Sequence, residues 1–280
     1  MRTEQEMMNM ILDVAKSDER IRSVSMEGSR ANPAAIKDQY QDYDISYYVT
    51  DIEPYFNNPE WVIEHFGNPL IMQMPEAMRW PDGGGHFNYM MIYPDGARLD
   101  LTVLPPQKYS SNGEPSVVLL DKDNGTGFLS PLPKPTDTVY HIELPTELYY
   151  YSCCNEFWWC LNNVIKGIAR DELPYAMNML NTVVRPELHR MIEWYIGTQH
   201  GFDFSVGKDG KYFKRYLSPE IYDEYTATYS DSRYENIWAS VYKMCDLFHT
   251  LALTVAEHFK FEYRQNEEDG MRTYMKMLKE

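Results

Sequence analysis

Two short runs, Glu27-Gly28-Ser29-Arg30 and Gln41-Asp42-Tyr43-Asp44-Ile45, stand twelve residues apart between Ser29 and Asp42. Upstream, residues 21–26 read as a short strand with Val24 and Met26 on one face. Gly28 then lets the backbone turn tightly and approach a ligand closely. Ser29 offers a hydroxyl and a backbone N–H where a short helical turn begins, a geometry suited to a phosphate. Residues 43–49 read as a second strand. Alternation along it sends Asp42 and Asp44 to one face and Tyr43, Ile45 and Tyr47 to the other. The two carboxylates lie about 7 Å apart along the strand, well placed to share hard divalent cations. A phosphate-holding serine facing a carboxylate pair is the layout of a nucleotidyl-transfer site.

A third acid extends the pattern. Residues 88–93 and 97–103 are strand-like and are separated by Pro94-Asp95-Gly96, a hairpin signal. In the second run Leu99, Leu101 and Val103 form the apolar face, leaving Arg98, Asp100 and Thr102 on the other. Asp100 has two readings there. It pairs with its neighbour Arg98 on a wet face, or it is the third carboxylate of a metal cluster or a general base.

The 280 residues suffice for two domains of ordinary size. A net charge of -16 argues against a nucleic-acid substrate, since binding a phosphate backbone wants a basic surface. An acidic field favours cationic ligands instead. No run has the length and apolarity of a membrane span, and the charged N-terminus lacks a signal-peptide core, so a soluble, cytoplasmic protein is expected. Three of the four cysteines, Cys153, Cys154 and Cys160, fall in one predicted helix and none forms C-x-x-C, which fits a reducing compartment. The histidines carry no zinc spacing.

The periodicity predicts a helix over 4–17, another over 59–66 capped by Asn58 and ended by Gly67, and a short strand over 70–74. Gly83-Gly84-Gly85 reads as a flexible rim before the hairpin. Prolines from 105 to 145 mark a crossover, with one further strand at 117–120. Helical spacing then fills 147–169, 172–183, 186–200, 219–229, 233–262 and 270–279. The expected class is α+β: an N-terminal palm of mixed sheet and helices over 1–140, followed by a helical bundle over 141–280. Lys166 and Arg170 share a helix face. They are suited to neutralising a triphosphate, or they are solvated cations on a last turn, where the helix dipole favours them.

The ordered set of motifs resembles the DNA polymerase β-type nucleotidyltransferase superfamily and, within it, the streptomycin (aminoglycoside 6-) adenylyltransferases. Besides the two opening runs, it includes Arg98-Leu99-Asp100-Leu101-Thr102, Cys153-Cys154-Asn155-Glu156-Phe157-Trp158, Val184-Arg185-Pro186 and Phe213-Lys214-Arg215-Tyr216-Leu217. The resemblance covers nearly the whole chain. It implies transfer of AMP from ATP to a hydroxyl of streptomycin with Mg²⁺, release of pyrophosphate, and antibiotic resistance. On that reading Asp42, Asp44 and Asp100 are catalytic and hold the metal, while Gly28, Ser29, Arg30, Lys166 and Arg170 bind the nucleotide. Asp100 or Glu156 takes the hydroxyl proton, Asp100 being preferred because it is fixed beside the metals. A guanidinium-bearing substrate calls for further acids, for which Glu76, Asp82, Glu147 and Glu156 are available. The competing expectation is a nucleotidyltransferase acting on a different small molecule or on a protein partner.

Overall fold

A computed structural model of the chain describes residues 2–78, 85–105, 113–125 and 134–279. Contacts divide it into two units, Met1–Val139 and Tyr140–Glu280.

In the first unit, helix α1 (Glu4–Ser17) opens on a capping box. Thr3 Oγ1 accepts from the Glu6 amide at 3.2 Å, and the Glu6 carboxylate accepts from the Thr3 amide at 2.8 Å. Its stripe of Met7, Ile11, Val14 and Ala15 is buried. Strand β1 (Ile21–Met26), the single turn α2 (Gly28–Ala31) and strand β2 (Tyr43–Val49) follow. Helix α3 (Pro59–Phe66) begins where the Asn58 side chain accepts from the Trp61 amide and ends at Gly67, whose φ is +83°. The remaining strands are β3 (Ile71–Gln73), β4 (Phe87–Ile92), β5 (Arg98–Leu104) and β6 (Val117–Asp121).

Among the described residues these strands form one six-stranded sheet in the order β3-β4-β5-β2-β1-β6. Each neighbouring pair is antiparallel except β2 with β5, which is parallel. The apolar face gathers Tyr43, Ile45 and Tyr47, Leu99, Leu101 and Val103, and Phe87, Tyr89 and Met91, buried with the stripes of α1 and α3. Each such side chain contributes about 1.5–3 kcal/mol on burial. A slip of one residue in β2 or β5 would exchange that face for Asp44, Ser46, Asp100 and Thr102, so burial fixes the register.

The second unit is helical: α4 (Glu147–Ala169), α5 (Leu173–Met179), α6 (Arg185–His200), α7 (Phe213–Tyr216), α8 (Pro219–Thr226), α9 (Tyr234–Phe259) and α10 (Gln265–Lys279). Phe157 of α4 stacks on Phe248 of α9 with ring centroids 3.7 Å apart. The polar tips of buried aromatics find partners: Tyr150 Oη donates to the Ala252 carbonyl at 2.9 Å and Trp194 Nε1 to that of Glu143 at 3.0 Å. All four cysteines are buried, free thiols.

Four helix boundaries differ from the sequence reading by three residues or more. The break expected before Pro186 is absent, because a π-helical turn, Leu180–Val184, joins α5 to α6. Pro186 has no N–H to offer the Thr182 carbonyl and its ring would crowd that group, and a wider turn accommodates both effects. Arg185, beside it, is buried and holds Thr228 through Nη1 at 2.8 Å and Nη2 at 3.0 Å. The helix expected from 270 begins at Gln265 and contains Gly270. Its early turns are anchored by tertiary bonds. Asn155 donates to Glu267 at 2.9 Å, and the buried Glu268 carboxylate accepts from Tyr263, Arg272 and His249, each at 2.7 Å. Those ties outweigh the roughly 1 kcal/mol that a helical glycine costs. Finally, α8 stops at Thr226 and α9 at Phe259, three residues short of the expected ends.

Two glycines on these helices should respond oppositely to one substitution. A Cβ on Gly270 meets nothing within 4 Å, whereas on Gly167 of α4 it falls 2.9 Å from Ala176 Cβ and 3.1 Å from the α5 backbone. Gly270→Ala should therefore stabilise by up to about 1 kcal/mol through helix propensity. Gly167→Ala should destabilise by about 1–3 kcal/mol through overpacking against atoms that cannot step aside. Urea unfolding midpoints of the two variants, moving in opposite directions, are the check.

Candidate active site

The parallel register pairs Asp44 of β2 with Asp100 of β5. Residues paired in register project to the same face, so the two carboxylates stand side by side on neighbouring strands. Asp42 precedes β2 and joins them through Arg98, whose Nη1 lies 3.2 Å from Asp42 Oδ2. The same guanidinium grips Asp100 with two parallel bonds, Nε to Oδ1 at 2.9 Å and Nη2 to Oδ2 at 2.6 Å. Asp100 pairs with Arg98, as the first of its two sequence readings has it, and stands beside Asp44 with Asp42 across the same guanidinium.

Gly28 closes the cluster from the turn side. Its φ is +66°, and a Cβ built on it would lie 2.2 Å from Asp44 Oδ2, so no side chain can stand there. The Glu27 amide donates to the Asp44 carbonyl at 2.9 Å, tying the turn to β2. Glu27 itself is a functional candidate that the sequence reading left without a role. Its carboxylate accepts from Ser25, from Ser46 at 3.2 Å and from Ser116 at 3.5 Å. Burial pushes its pKa up against those three hydroxyl bonds, and the Asp44 charge adds to the rise. The signal was its place directly before Gly28.

Arg30, expected at the phosphates, spends two donors on backbone. Nε reaches the Asp42 carbonyl at 3.0 Å and Nη2 the Gln41 carbonyl at 2.9 Å, while the guanidinium stacks 3.7 Å above the Tyr43 ring. It fixes the loop that delivers Asp42. The Gln41 side chain closes the same loop on the Ser29 carbonyl at 3.1 Å. A cavity of ≈ 210 Å³ opens beside Asp42 and Arg98, walled also by Arg2, Arg30, Tyr40 and Tyr43.

The other expected residues have partners of their own or lie in the second unit. Glu76 is buried, and its oxygens accept from the Asn88 amide at 2.9 Å, from the Asn88 side chain and from His86 at 3.2 Å. Asn88 in turn accepts from Thr102 at 2.6 Å, so Glu76 is tied to the polar face of β5 that carries Asp100. Asp82 lies outside the described residues. Lys166, Arg170, Glu147 and Glu156 belong to the second unit. Lys166 donates to Asn162 at 2.9 Å, Glu156 accepts from Cys160 at 3.2 Å, and Arg170 and Glu147 are exposed at opposite ends of α4.

The donor set suits a hard divalent cation: three carboxylates, with no thiolate or imidazole among them. Burial, and then the charges of Asp100 and Asp42, push the Asp44 pKa from 3.8 up to about 6. Burial also raises that of Asp42, opposed by Arg98. Such mutual repulsion is what a bound cation relieves. Among the described residues no three Asp, Glu, His or Cys side chains converge as a finished ligand set; here Arg98 lies across Asp42 and Asp100.

The raised Asp44 pKa has a stability consequence of definite sign. Below 3.8 the carboxyl is protonated in folded and unfolded chains alike, and it costs nothing. As pH rises through about 6 the folded chain must charge it against its surroundings, so stability falls. Asp44→Asn should therefore stabilise the metal-free protein at pH 7 and lose that advantage by about pH 4. A two-unit shift bounds the gain at about 3 kcal/mol, and screening of the half-buried side chain reduces it. Thermal unfolding of both proteins across pH 4–8, as an order-of-magnitude window around the shift, decides it; a variant less stable at pH 7 refutes the electrostatic account.

Residues 1–278 match the streptomycin adenylyltransferase family. The chain is 43% identical over 274 residues to an aminoglycoside 6-adenylyltransferase of Bacillus subtilis (strain 168), covering 96% of this chain and 95% of the relative. It is 39% identical over 267 residues to one of Campylobacter jejuni, covering 94% and 91%. A crystal structure of an aminoglycoside 6-adenyltransferase from Bacillus subtilis aligns with 99% of each chain, at 39% identity and a TM-score of 0.49. On the strength of the sequence matches, which run nearly from end to end and take in the Gly28 turn and all three aspartates, the chain belongs to the streptomycin adenylyltransferase family.

Proposed function

We propose that the protein transfers AMP from ATP to a hydroxyl of streptomycin, releasing pyrophosphate and so conferring resistance in the cytoplasm. The observation that carries this reading is the side-by-side placement of Asp44 and Asp100 on parallel strands, with Asp42 beside them and Gly28 packed against Asp44. Membership of a family named for streptomycin supports the acceptor. The net charge of -16 agrees with a polycationic substrate.

Asp42, Asp44 and Asp100 would hold Mg²⁺, which when bound polarises the α-phosphate and offsets the charge of the departing pyrophosphate. Gly28 and Ser29 form the turn that receives the nucleotide phosphates, and Arg30 acts through the Gln41 and Asp42 carbonyls it holds. The acceptor oxygen attacks the α-phosphorus as the bond to the pyrophosphate oxygen breaks, and Asp100 accepts the hydroxyl proton. Of the acids considered for guanidinium groups, Glu76 has its oxygens engaged with Asn88 and His86, Glu156 accepts from Cys160, and Glu147 is exposed.

Incubation with ATP, Mg²⁺ and a panel of aminoglycosides, read by mass spectrometry, should give streptomycin carrying one AMP, and chelation of the metal should abolish the product. Asp42→Asn and Asp100→Asn should each lower the rate at least about a hundredfold, the scale of removing a group that stabilises transition-state charge, with the fold intact by circular dichroism. Near-normal transfer by Asp42→Asn would refute the metal assignment. Transfer to none of the panel would refute the acceptor.

A further inference from the structure

Arg98 is the one cation bonded to the carboxylate cluster among the described residues, and it is bonded to two of the three members. It approaches Asp100 in the fork-to-fork geometry that makes guanidinium–carboxylate pairs strong and directional, and its Nη1 forms an ion pair with Asp42 at 3.2 Å. These are the oxygens a divalent cation would need. A metal ion that draws on Asp100 has to compete with the guanidinium, which holds both Asp100 oxygens and faces one of Asp42.

The location lets the side chain leave. Arg98 is 37% exposed and Asp42 36%, at the mouth of the cavity, whereas Asp100 is 19% exposed. Arg98 starts β5, immediately after the Gly96-Ala97 turn, so swinging its side chain outward breaks no strand pairing beyond the edge of the register. Asp42 and Asp100 are anchored independently: the Asp42 carbonyl is held by Arg30, and Asp100 sits between its paired neighbours Asp44 and Met90. The backbone that carries the two carboxylates is thus held without Arg98.

We propose that Arg98 is a resident counter-ion which excludes free divalent cations from the cluster, so that the metal enters only with a nucleoside triphosphate, whose phosphates receive the displaced guanidinium. The inference rests on the metal-dependent reading of the site given above. Two physical needs favour it. Without a cation the three carboxylates repel one another, and Arg98 relieves that repulsion in the resting protein. A triphosphate brings both a replacement cation for the aspartates and a replacement anion for Arg98, so the exchange leaves no charge unpaired, whereas a bare metal ion would strand the guanidinium. Arg98 is thus a positioning residue whose two partnerships alternate.

The test is metal affinity rather than turnover. Mn²⁺ is titrated into wild type, Arg98→Met and Arg98→Lys, with the free ion read by electron paramagnetic resonance, with and without α,β-methylene-ATP. If Arg98 stands aside in about a tenth of molecules or fewer, apparent affinity is reduced by that fraction. Without nucleotide, Arg98→Met should then bind Mn²⁺ at least about tenfold more tightly than wild type, with Arg98→Lys between them. The nucleotide analogue should bring wild type up to the variant. Equal affinities without nucleotide overturn the counter-ion role while leaving the metal site standing. Absence of Mn²⁺ binding in every protein, analogue included, overturns the metal-dependent reading and this inference with it. A second measurement needs no unliganded variant to be stable: the ¹⁵Nε–H signal of Arg98 in wild type, assigned by its loss in Arg98→Lys, should shift on adding Mg²⁺ with the analogue and stay put with Mg²⁺ alone. A signal unmoved by both overturns the exchange.

Discussion

The parallel pairing of β2 with β5 is the constraint on which the palm depends. It is the single parallel contact in the described sheet, and it sets Asp44 directly beside Asp100. Two carboxylates on adjacent strands of one face repel, and nothing local to either strand favours the arrangement. It persists because the reverse face of the same strands carries Tyr43, Ile45, Tyr47, Leu99, Leu101 and Val103 into the core. At about 1.5–3 kcal/mol for each buried side chain, the apolar face outweighs the repulsion on the polar one. The charge conflict is therefore built in by the hydrophobic face.

Other features of the site respond to that conflict. Gly28 has no side chain because Asp44 occupies the space where one would project. Arg98 lies across Asp42 and Asp100, where it offsets part of the excess charge. Arg30 turns inward to backbone carbonyls and the Tyr43 ring, so the loop carrying Asp42 is held by neutral oxygens instead of by the aspartates themselves. The carboxylate oxygens that remain are the ones open to a cation.

Much of this was legible from residue order. Alternation along β2 and β5 assigned both faces, and the capping residues of α3 set its limits, because those signals act within a few residues of one another. The parallel register was not legible, since β5 follows β4 through a hairpin and only tertiary burial decides that its other edge meets β2. Glu27 was overlooked for a similar reason: its three serine partners come from β1, β2 and the segment before β6. In the second unit, Pro186 and Gly270 read as helix boundaries by local propensity. A π turn and the ties to Glu267 and Glu268 override them, and neither can be inferred from spacing.

The ambiguity of Asp100 in the sequence also resolves into something physical. An aspartate two residues from an arginine on one strand face looks like either a surface ion pair or part of a metal cluster, and the alternatives seem exclusive. They are exclusive only for an isolated carboxylate. Three carboxylates held within one site need a balancing charge when the substrate leaves, from a cation or from a proton, and the raised Asp44 and Asp42 pKa values reflect that need. A strand that brings its own arginine to such a cluster satisfies that need at rest, and the arginine must be displaceable if the cluster is to serve a metal. Hence the Arg98–Asp100 pair is not evidence against a catalytic role for Asp100. The guanidinium offsets charge that a cation arriving with the substrate would otherwise offset.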